Sequence, residues 1–218
     1  SKIFLSEPMR YTKSSALAPI LPLLEHGLLF APNSRWKIHR KALSSIFRFD
    51  FIISQVPNIV ETAQKTFARE IEAQKGKNIN IMELYQLITG ELVFRIFFGE
   101  DLVGVTIDGI LPTTYLASLL ELAATNIRSP ESMFFGLRGV KLRLFKRNRE
   151  YLDRTKRFMK FCKEIINKKK VQLESKATPS ANPDFVTLLL QTKGTEDEYT
   201  DDEILHEFIT FFFAGMDT

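Results

Sequence analysis

The last stretch of this sequence, residues 200–218, constrains the fold more than any other. Thr200 is a favourable N-cap residue, and the Glu203 carboxylate stands where it can reach back to the Thr200 backbone N–H in a capping box. Apolar side chains then cover almost the whole circumference of the predicted helix, which indicates a helix buried in the middle of the protein. Gly215 interrupts this apolar run, and Asp217 and Thr218 place an acid and a hydroxyl group at the same depth.

Composition excludes several classes of protein. The chain of 218 residues is 44% hydrophobic and 26% charged, which is typical of a globular protein and not of a disordered or fibrous one. Its 19 phenylalanines indicate a bulky apolar interior or pocket. The single cysteine, Cys162, excludes a disulfide framework, and the three histidines lack metal-ligand spacing. No apolar run approaches the ~20 residues of a membrane span.

Positive charge is concentrated in residues 140–176, which hold 14 Lys or Arg against 4 Asp or Glu. Such a stretch is either the solvated face of a helix or a surface for an anionic membrane, nucleic acid or acidic partner. The charge alone does not decide between these alternatives.

Hydrophobic periodicity predicts an all-α protein with no convincing β-strand. One predicted helix carries the apolar stripe Val60, Ala63, Phe67 and Ile71. Cys162 lies in the apolar stripe of another and is interpreted as a packing residue. The predicted helices are 34–47 with Ser34 as N-cap, 57–74, 80–98, 114–128, 148–174, 185–190 and 200–218, while 129–147 is predicted to be irregular.

Two hydrogen-bond donors stand four residues apart on the first long helix. Trp36 and Arg40 project from the same face and together suit an anionic group such as a carboxylate or a phosphate. The alternative is a cation–π pair or an ordinary ion pair with an acidic side chain.

The order of these motifs resembles a known family. Residues 27–30 precede the Trp36 to Arg40 helix, and the sequence Phe-Ala-Gly-Met-Asp-Thr closes the chain at 213–218. This pattern is similar to the N-terminal half of a cytochrome P450, a haem-thiolate monooxygenase, of the microsomal eukaryotic type. The resemblance implies the helical portion of that fold, as one partial domain over 1–218 running from the B helix region to the middle of the I helix.

The resemblance also implies roles for individual residues. Trp36 and Arg40 would bind a haem propionate, and Ala214 and Gly215 would lie against the porphyrin and the dioxygen groove. Asp217 and Thr218 would be catalytic, relaying protons towards the bound oxygen. Thr210 and Phe213 would line the substrate pocket.

The implied activity is insertion of one oxygen atom of O2 into an apolar small molecule, such as a fatty acid, a steroid or a xenobiotic. The cofactor would be haem b (heme, iron protoporphyrin IX), with electrons from NADPH through a reductase. The implied location is the cytoplasmic face of the endoplasmic reticulum membrane, with a membrane surface as partner and no nucleic acid.

Two parts of the family pattern are missing, and the first is the glutamate and arginine pair of the family's K helix. The cysteine loop that supplies the proximal iron ligand does not occur in this sequence, and Cys162 lacks its glycine and phenylalanine setting. We therefore expect a truncated chain that has no metal ligand, binds haem weakly and is inactive alone. The alternative of a different class is a non-catalytic all-α interaction protein whose basic helix binds an anionic membrane or partner.

Overall fold

The structure, a computed structural model, describes residues 21–44, 47–99, 102–141, 143, 145–175 and 183–217. Within these ranges it contains no strand, only an isolated antiparallel bridge between Ile107 and Ile110, so the all-α prediction is confirmed. None of the described helices is both long and apolar enough to cross a membrane. The helices are α1 (Leu21–Leu24), α2 (Asn33–Leu43), α3 (Phe49–Ala73), α4 (Ile81–Phe98), α5 (Pro112–Ile127), α6 (Pro130–Lys141), α7 (Lys146–Ser175), α8 (Phe185–Leu190) and α9 (Asp201–Asp217).

Local capping fixes several of these ends. The Asn80 side chain accepts a hydrogen bond from the Met82 backbone N–H at 3.1 Å, and Gly99 ends α4 in the left-handed region at φ 61°. The Asp184 carboxylate caps α8 through the Thr187 N–H at 2.9 Å. The predicted boundaries of both helices are therefore confirmed to within one residue.

The core lies where α9 crosses α4. Phe98 and Phe208 stack with their ring centroids 3.7 Å apart, and Phe94 meets Phe212 edge to face at 4.8 Å. All four rings are essentially inaccessible to solvent, and Phe158 of α7 stacks on Phe212 from the other side. The phenylalanine-rich interior expected from composition is thus built between α4, α7 and α9.

Two predictions about helix boundaries are wrong. The segment predicted to be irregular contains α6, in which Pro130 occupies the first turn, where its missing N–H costs nothing. The Ser129 hydroxyl accepts a hydrogen bond from the Ser132 N–H at 3.2 Å and so supports that start. Helix α2 begins at Asn33 after Pro32, without a side-chain cap, so Ser34 lies inside it.

Helix α3 differs most from expectation. It starts before Pro57, which it accommodates on an exposed face. Of the predicted buried stripe, Val60, Phe67 and Ile71 are exposed and Ala63 is half-buried. The residues that face inward are instead Thr62 and Thr66. The cause is a polar interface with α4, whose buried residue Glu91 accepts hydrogen bonds from Thr66 and Arg69.

The basic helix α7 pairs much of its charge within the protein. Lys169 is buried and contacts the Asp184 carboxylate at 2.7 Å, and Lys170 contacts Asp201 at 2.7 Å. Cys162 is fully buried, and burial raises the pKa of its thiol well above the ordinary value. The packing role predicted for Cys162 is therefore confirmed.

Candidate functional site

Helix α2 presents the two predicted donors together. The Arg40 guanidinium carbon lies 5.4 Å from the centroid of the Trp36 ring, which is a cation–π contact. Arg40 is exposed and Trp36 is half-buried. Among the described residues, neither the indole N–H nor the guanidinium meets a hydrogen-bond acceptor or a carboxylate. The pair therefore combines the cation–π geometry with donors that no described side chain uses and that fit an external anionic group.

The adjacent face of α2 is attached to the start of α9. The Arg35 guanidinium donates two parallel hydrogen bonds to the Glu203 carboxylate, at 2.6 and 2.7 Å. His39 lies between two acids, with Nδ1 2.8 Å from Glu207 Oε1 and Nε2 3.3 Å from Glu203 Oε1. Both His39 and Glu207 are fully buried. We call Arg35, His39, Glu203 and Glu207 the α2–α9 network.

The α2–α9 network includes the capping box predicted from sequence. The Thr200 N–H donates to Glu203 Oε2 at 2.8 Å, and the Glu203 N–H donates to the Thr200 hydroxyl at 3.2 Å. Burial by itself would raise the pKa of Glu203, but the hydrogen bonds from Arg35 and Thr200 outweigh it and lower that pKa to about 2. Glu203 is therefore a charged anchor for both helices.

Two buried polar atoms, one within the α2–α9 network and one beside it, have no hydrogen-bond partner in the described part of the chain. They are Glu207 Oε2 and the Tyr199 hydroxyl oxygen. The Tyr199 ring stacks on His39 with centroids 4.3 Å apart. Burial, together with the Glu207 and Glu203 carboxylates, raises the pKa of Tyr199 well above its ordinary value.

Further along α9, the packing explains Gly215. A Cβ atom added there would stand 2.3 Å from Val93 Cγ2 on α4. One residue later, the Thr89 hydroxyl lies 3.1 Å from the Met216 backbone carbonyl oxygen. This turn of α9 is thus pressed against α4 on one side, whereas Ala214 on the other side is exposed.

Helical geometry places the α2–α9 network and Ala214 on one face of α9. Seven residues make almost two full turns, so Ala214 projects in nearly the same direction as Glu207. Along the axis the two are separated by about 10 Å. Helix α2, which carries Trp36 and Arg40, is therefore attached to the same face of α9 that exposes Ala214.

Of the other predicted site residues, two lie in or against the core and two lie partly or wholly outside the described part of the chain. Thr210 is buried, its hydroxyl donates to the His206 carbonyl at 2.6 Å, and a Cβ on Gly27 would stand 2.3 Å from that hydroxyl oxygen. Phe213 is half-buried against the core. The Asp217 side chain and all of Thr218 lie outside the described residues, so their proton-relay roles stay predictions.

A groove of about 480 Å³ opens between α1, α7 and the start of α9. His26 and His206 line it, with ring centroids 5.0 Å apart, and the His26 backbone N–H donates to His206 Nδ1 at 2.8 Å. Burial, assisted by His26, lowers the pKa of His206 to about 4. Neither Thr210 nor Phe213 lines this groove, so their assignment to a substrate pocket also stays a prediction.

Sequence reasoning missed His39, Glu207 and Tyr199. One signal was available, because Glu207 is an acid within the apolar run of α9 and a buried charge requires a partner. The partner could not be identified, since His39 lies 168 residues away in the sequence.

Comparison with known proteins gives one consistent result. The model of the family described as Cytochrome P450 matches residues 5–218. The cytochrome P450 CYP72A219 of Panax ginseng is 24% identical over 92% of this chain and 39% of its own length. A human ultra-long-chain fatty acid omega-hydroxylase is 24% identical over 94% of the chain and 41% of its own length. The chain thus spans about two fifths of the curated relatives it matches.

Solved structures agree on the fold. The haem domain of cytochrome P450DA superposes with a TM-score of 0.72 over 95% of this chain and 43% of that domain, at 18% identity. The superposition at such low identity supports the fold alone. Together with the match over residues 5–218, it leads to one assignment. The chain belongs to the cytochrome P450 family.

Proposed function

We propose that the chain is the distal part of a haem-dependent monooxygenase. The observation that carries this proposal is the donor pair Trp36 and Arg40, which no described side chain uses and which lies on the helix that the α2–α9 network attaches to the Ala214 face of α9. When bound, haem b supplies the activation of O2 that inserts one oxygen atom into an apolar molecule. The protein supplies binding, orientation, exclusion of water and protons.

The cofactor would be held by few residues. Trp36 and Arg40 would donate to a propionate, since a charged acceptor makes such hydrogen bonds stronger than neutral ones. Ala214 and Gly215 would lie along the macrocycle, because small side chains leave room for a flat group. For Gly215 this role is additional to its contact with Val93, which alone already requires a glycine.

Proton delivery would fall to Asp217 and Thr218. An acid and a hydroxyl one residue apart can pass protons along hydrogen bonds while the phenylalanine-rich helix keeps bulk water away. Thr89 holds the preceding backbone carbonyl, at Met216, and so steadies this turn of α9.

The substrate class we propose is an apolar small molecule such as a fatty acid, a steroid or a xenobiotic, contacted by Thr210 and Phe213. The human relative named as a fatty acid omega-hydroxylase supports an apolar substrate by similarity. Electrons would come from an NADPH-dependent reductase. The location would be the cytoplasmic face of the endoplasmic reticulum, with the exposed Met133 and Phe134 of α6 touching the membrane surface.

The alternative, a non-catalytic protein that binds an anionic partner through residues 140–176, has weaker support. Several cations of α7 are already neutralised inside the protein, including buried Lys169. Its exposed pairs, such as Arg157 with Asp108 at 2.7 Å, also reduce the charge offered to a partner.

Titration with hemin tests the propionate contact. Trp36 is the only tryptophan, so quenching of its fluorescence reports binding directly. We expect weak binding, reduced roughly tenfold in Arg40→Leu because one charged hydrogen bond is lost. The matched control is Lys37→Leu, an exposed cation on another face of α2, which should leave the affinity unchanged. Equal affinities for Arg40→Leu and the unmodified chain would contradict the proposal.

A further inference from the structure

Helix α2 is attached to the molecule chiefly by side chains. In the described part of the chain its backbone makes few close approaches to other helices. The α2–α9 network instead bridges the gap, with a bidentate Arg35–Glu203 pair at its edge and the fully buried His39–Glu207 pair within. Without this network, α2 would keep the buried Leu43 at its C-terminal end and the exposed Lys41–Asp197 pair at 3.0 Å, but the face that carries Arg35 and His39 would lose its contacts with α9.

The direction of Trp36 and Arg40 depends on that attachment. Arg35 and His39 are four residues apart and share one face of α2, and Trp36 and Arg40 occupy the face about 100° further round. Fixing the first pair therefore fixes the second. Among the described residues, the Arg40 guanidinium lies over the Trp36 ring, and no side chain accepts a hydrogen bond from either donor.

The network is better suited to specify a position than to add stability. Carboxylate oxygens only accept hydrogen bonds, so both contacts of His39 are satisfied together only if its ring carries two protons or one carboxyl group is protonated. Glu207 Oε2 also remains without a partner among the described residues. Such a buried polar cluster is costly to assemble, and its geometry is narrow because any displacement leaves a buried charge uncompensated.

We propose that His39 and Glu207 are positioning residues that hold the Trp36–Arg40 donor pair in register with the Ala214 face of α9. A flat ligand lying on that face then presents its carboxylate to both donors at once. The identity of this ligand as haem rests on the proposed function, whereas the positioning of α2 does not.

Resonance energy transfer from Trp36 to a thiol-reactive dye on Ala214→Cys measures the register directly. Ala214 is exposed, and Cys162 is fully buried with a raised thiol pKa, so the dye reacts at position 214; the chain without Ala214→Cys controls for this. We expect one narrow distribution of distances in the otherwise unmodified chain. Glu207→Gln and His39→Gln should each lose that narrow distribution while the chain stays helical by circular dichroism.

Thr66→Val is the matched control, because it removes a buried hydrogen bond to Glu91 between α3 and α4, away from α2. If the broadening came only from the loss of a buried hydrogen bond, Thr66→Val would broaden the distance distribution as well. We expect the distribution of Thr66→Val to stay narrow. If Glu207→Gln or His39→Gln does not fold, Arg35→Lys serves instead, since it keeps the charge at a partly exposed site and loses only the bidentate fork. An unchanged distribution in the folded network variants would overturn the positioning.

Hemin titration of the same substitutions in the chain that keeps Ala214 unlabelled separates the two proposals. Glu207→Gln should weaken hemin binding roughly tenfold, as Arg40→Leu does, and Thr66→Val should not. Suppose that the distance distribution broadens in Glu207→Gln and that Arg40→Leu leaves the hemin affinity unchanged. This result would overturn the propionate contact and keep the positioning of α2. Weakened hemin binding with a narrow distance distribution would overturn the positioning and keep the propionate contact.

Discussion

At the scale of the residue, close helix packing leaves no room for a side chain at Gly215. Its Cα hydrogen faces Val93 Cγ2, and a methyl group there would stand at 2.3 Å, well inside contact distance. Helices α4 and α9 cannot easily move apart here, because the Phe94 and Phe212 rings pack edge to face beside this crossing.

We predict that Gly215→Ala destabilises the chain by about 1–3 kcal/mol through overpacking, despite the better helix propensity of alanine. Urea unfolding followed by circular dichroism measures this change. The cost should shrink in a Val93→Ala background, where the clashing methyl groups are gone. The same cost in both backgrounds would show that Val93 is not the cause.

His206 makes stability depend on pH. Burial lowers its pKa from 6.5 to about 4, and its Nδ1 accepts the His26 N–H only while unprotonated. A group whose pKa is depressed on folding contributes stability above its unfolded pKa and loses it as pH falls through the folded value. The contribution therefore decreases between pH 6.5 and 4, by up to about 3 kcal/mol.

We predict that His206→Gln flattens this decrease. The measurement is the free energy of unfolding in urea at several pH values from 7.5 to 4.5, compared with the unmodified chain. Glu203 does not confuse the result, because its pKa of about 2 places its own loss below pH 4.5. An equally steep decrease in His206→Gln would assign the effect to another group.

At the scale of the element, α3 and α6 carry apolar side chains on the outside. The exposed stripe of α3 includes Phe49, which is 75% accessible, and α6 exposes Met133 and Phe134 at 82% and 83%. Their settings differ, since α6 breaks at Gly136 with a φ of 53° and leads into the basic helix α7. A short apolar segment beside positive charge fits an anionic membrane surface.

For α6 we predict binding to vesicles that contain anionic lipid, reduced by replacing Met133 and Phe134 with serine. Each buried apolar side chain contributes about 1.5–3 kcal/mol, so the double variant should lose most of its association. Sedimentation with vesicles measures it. The control replaces Phe49 of α3 with serine, and equal losses in both variants would indicate non-specific adhesion instead of a contact through α6.

At the scale of the whole molecule, α9 joins parts of the chain that are distant in sequence. Phe208 of α9 stacks on Phe98 of α4, and Glu207 meets His39 of α2 on another face. Lys169 of α7 pairs with Asp184 just before α8, so the last third of the chain closes around the same core. Folding should therefore respond strongly to changes in α9.

We predict that Phe208→Ala costs about 3–5 kcal/mol, because a fully buried ring is replaced by a cavity between α4 and α9. Phe208→Leu, which retains most of the apolar volume, should cost clearly less. Urea unfolding compares the two. Equal costs would show that the ring contacts with Phe98 and Phe94, and not the filled volume, determine the stability.

The amino-acid sequence by itself determined the features that depend on near neighbours. The α9 capping box, the Asn80 and Gly99 ends of α4 and the bounds of α8 were predictable, since each rests on hydrogen bonds or backbone angles within a few residues. The Trp36 and Arg40 pair was also predictable, because helical spacing alone sets two side chains four apart together.

Only the tertiary structure decided which partners the buried charged and apolar side chains contact. The partners of His39 and Glu207, the inward-facing Thr66 of α3 and the contact of Gly215 with Val93 all join helices distant in the chain. Periodicity states that a face is apolar, but which neighbour covers it depends on how the helices pack. For that reason the donors of the candidate site were visible in sequence, and the network that fixes their direction was not.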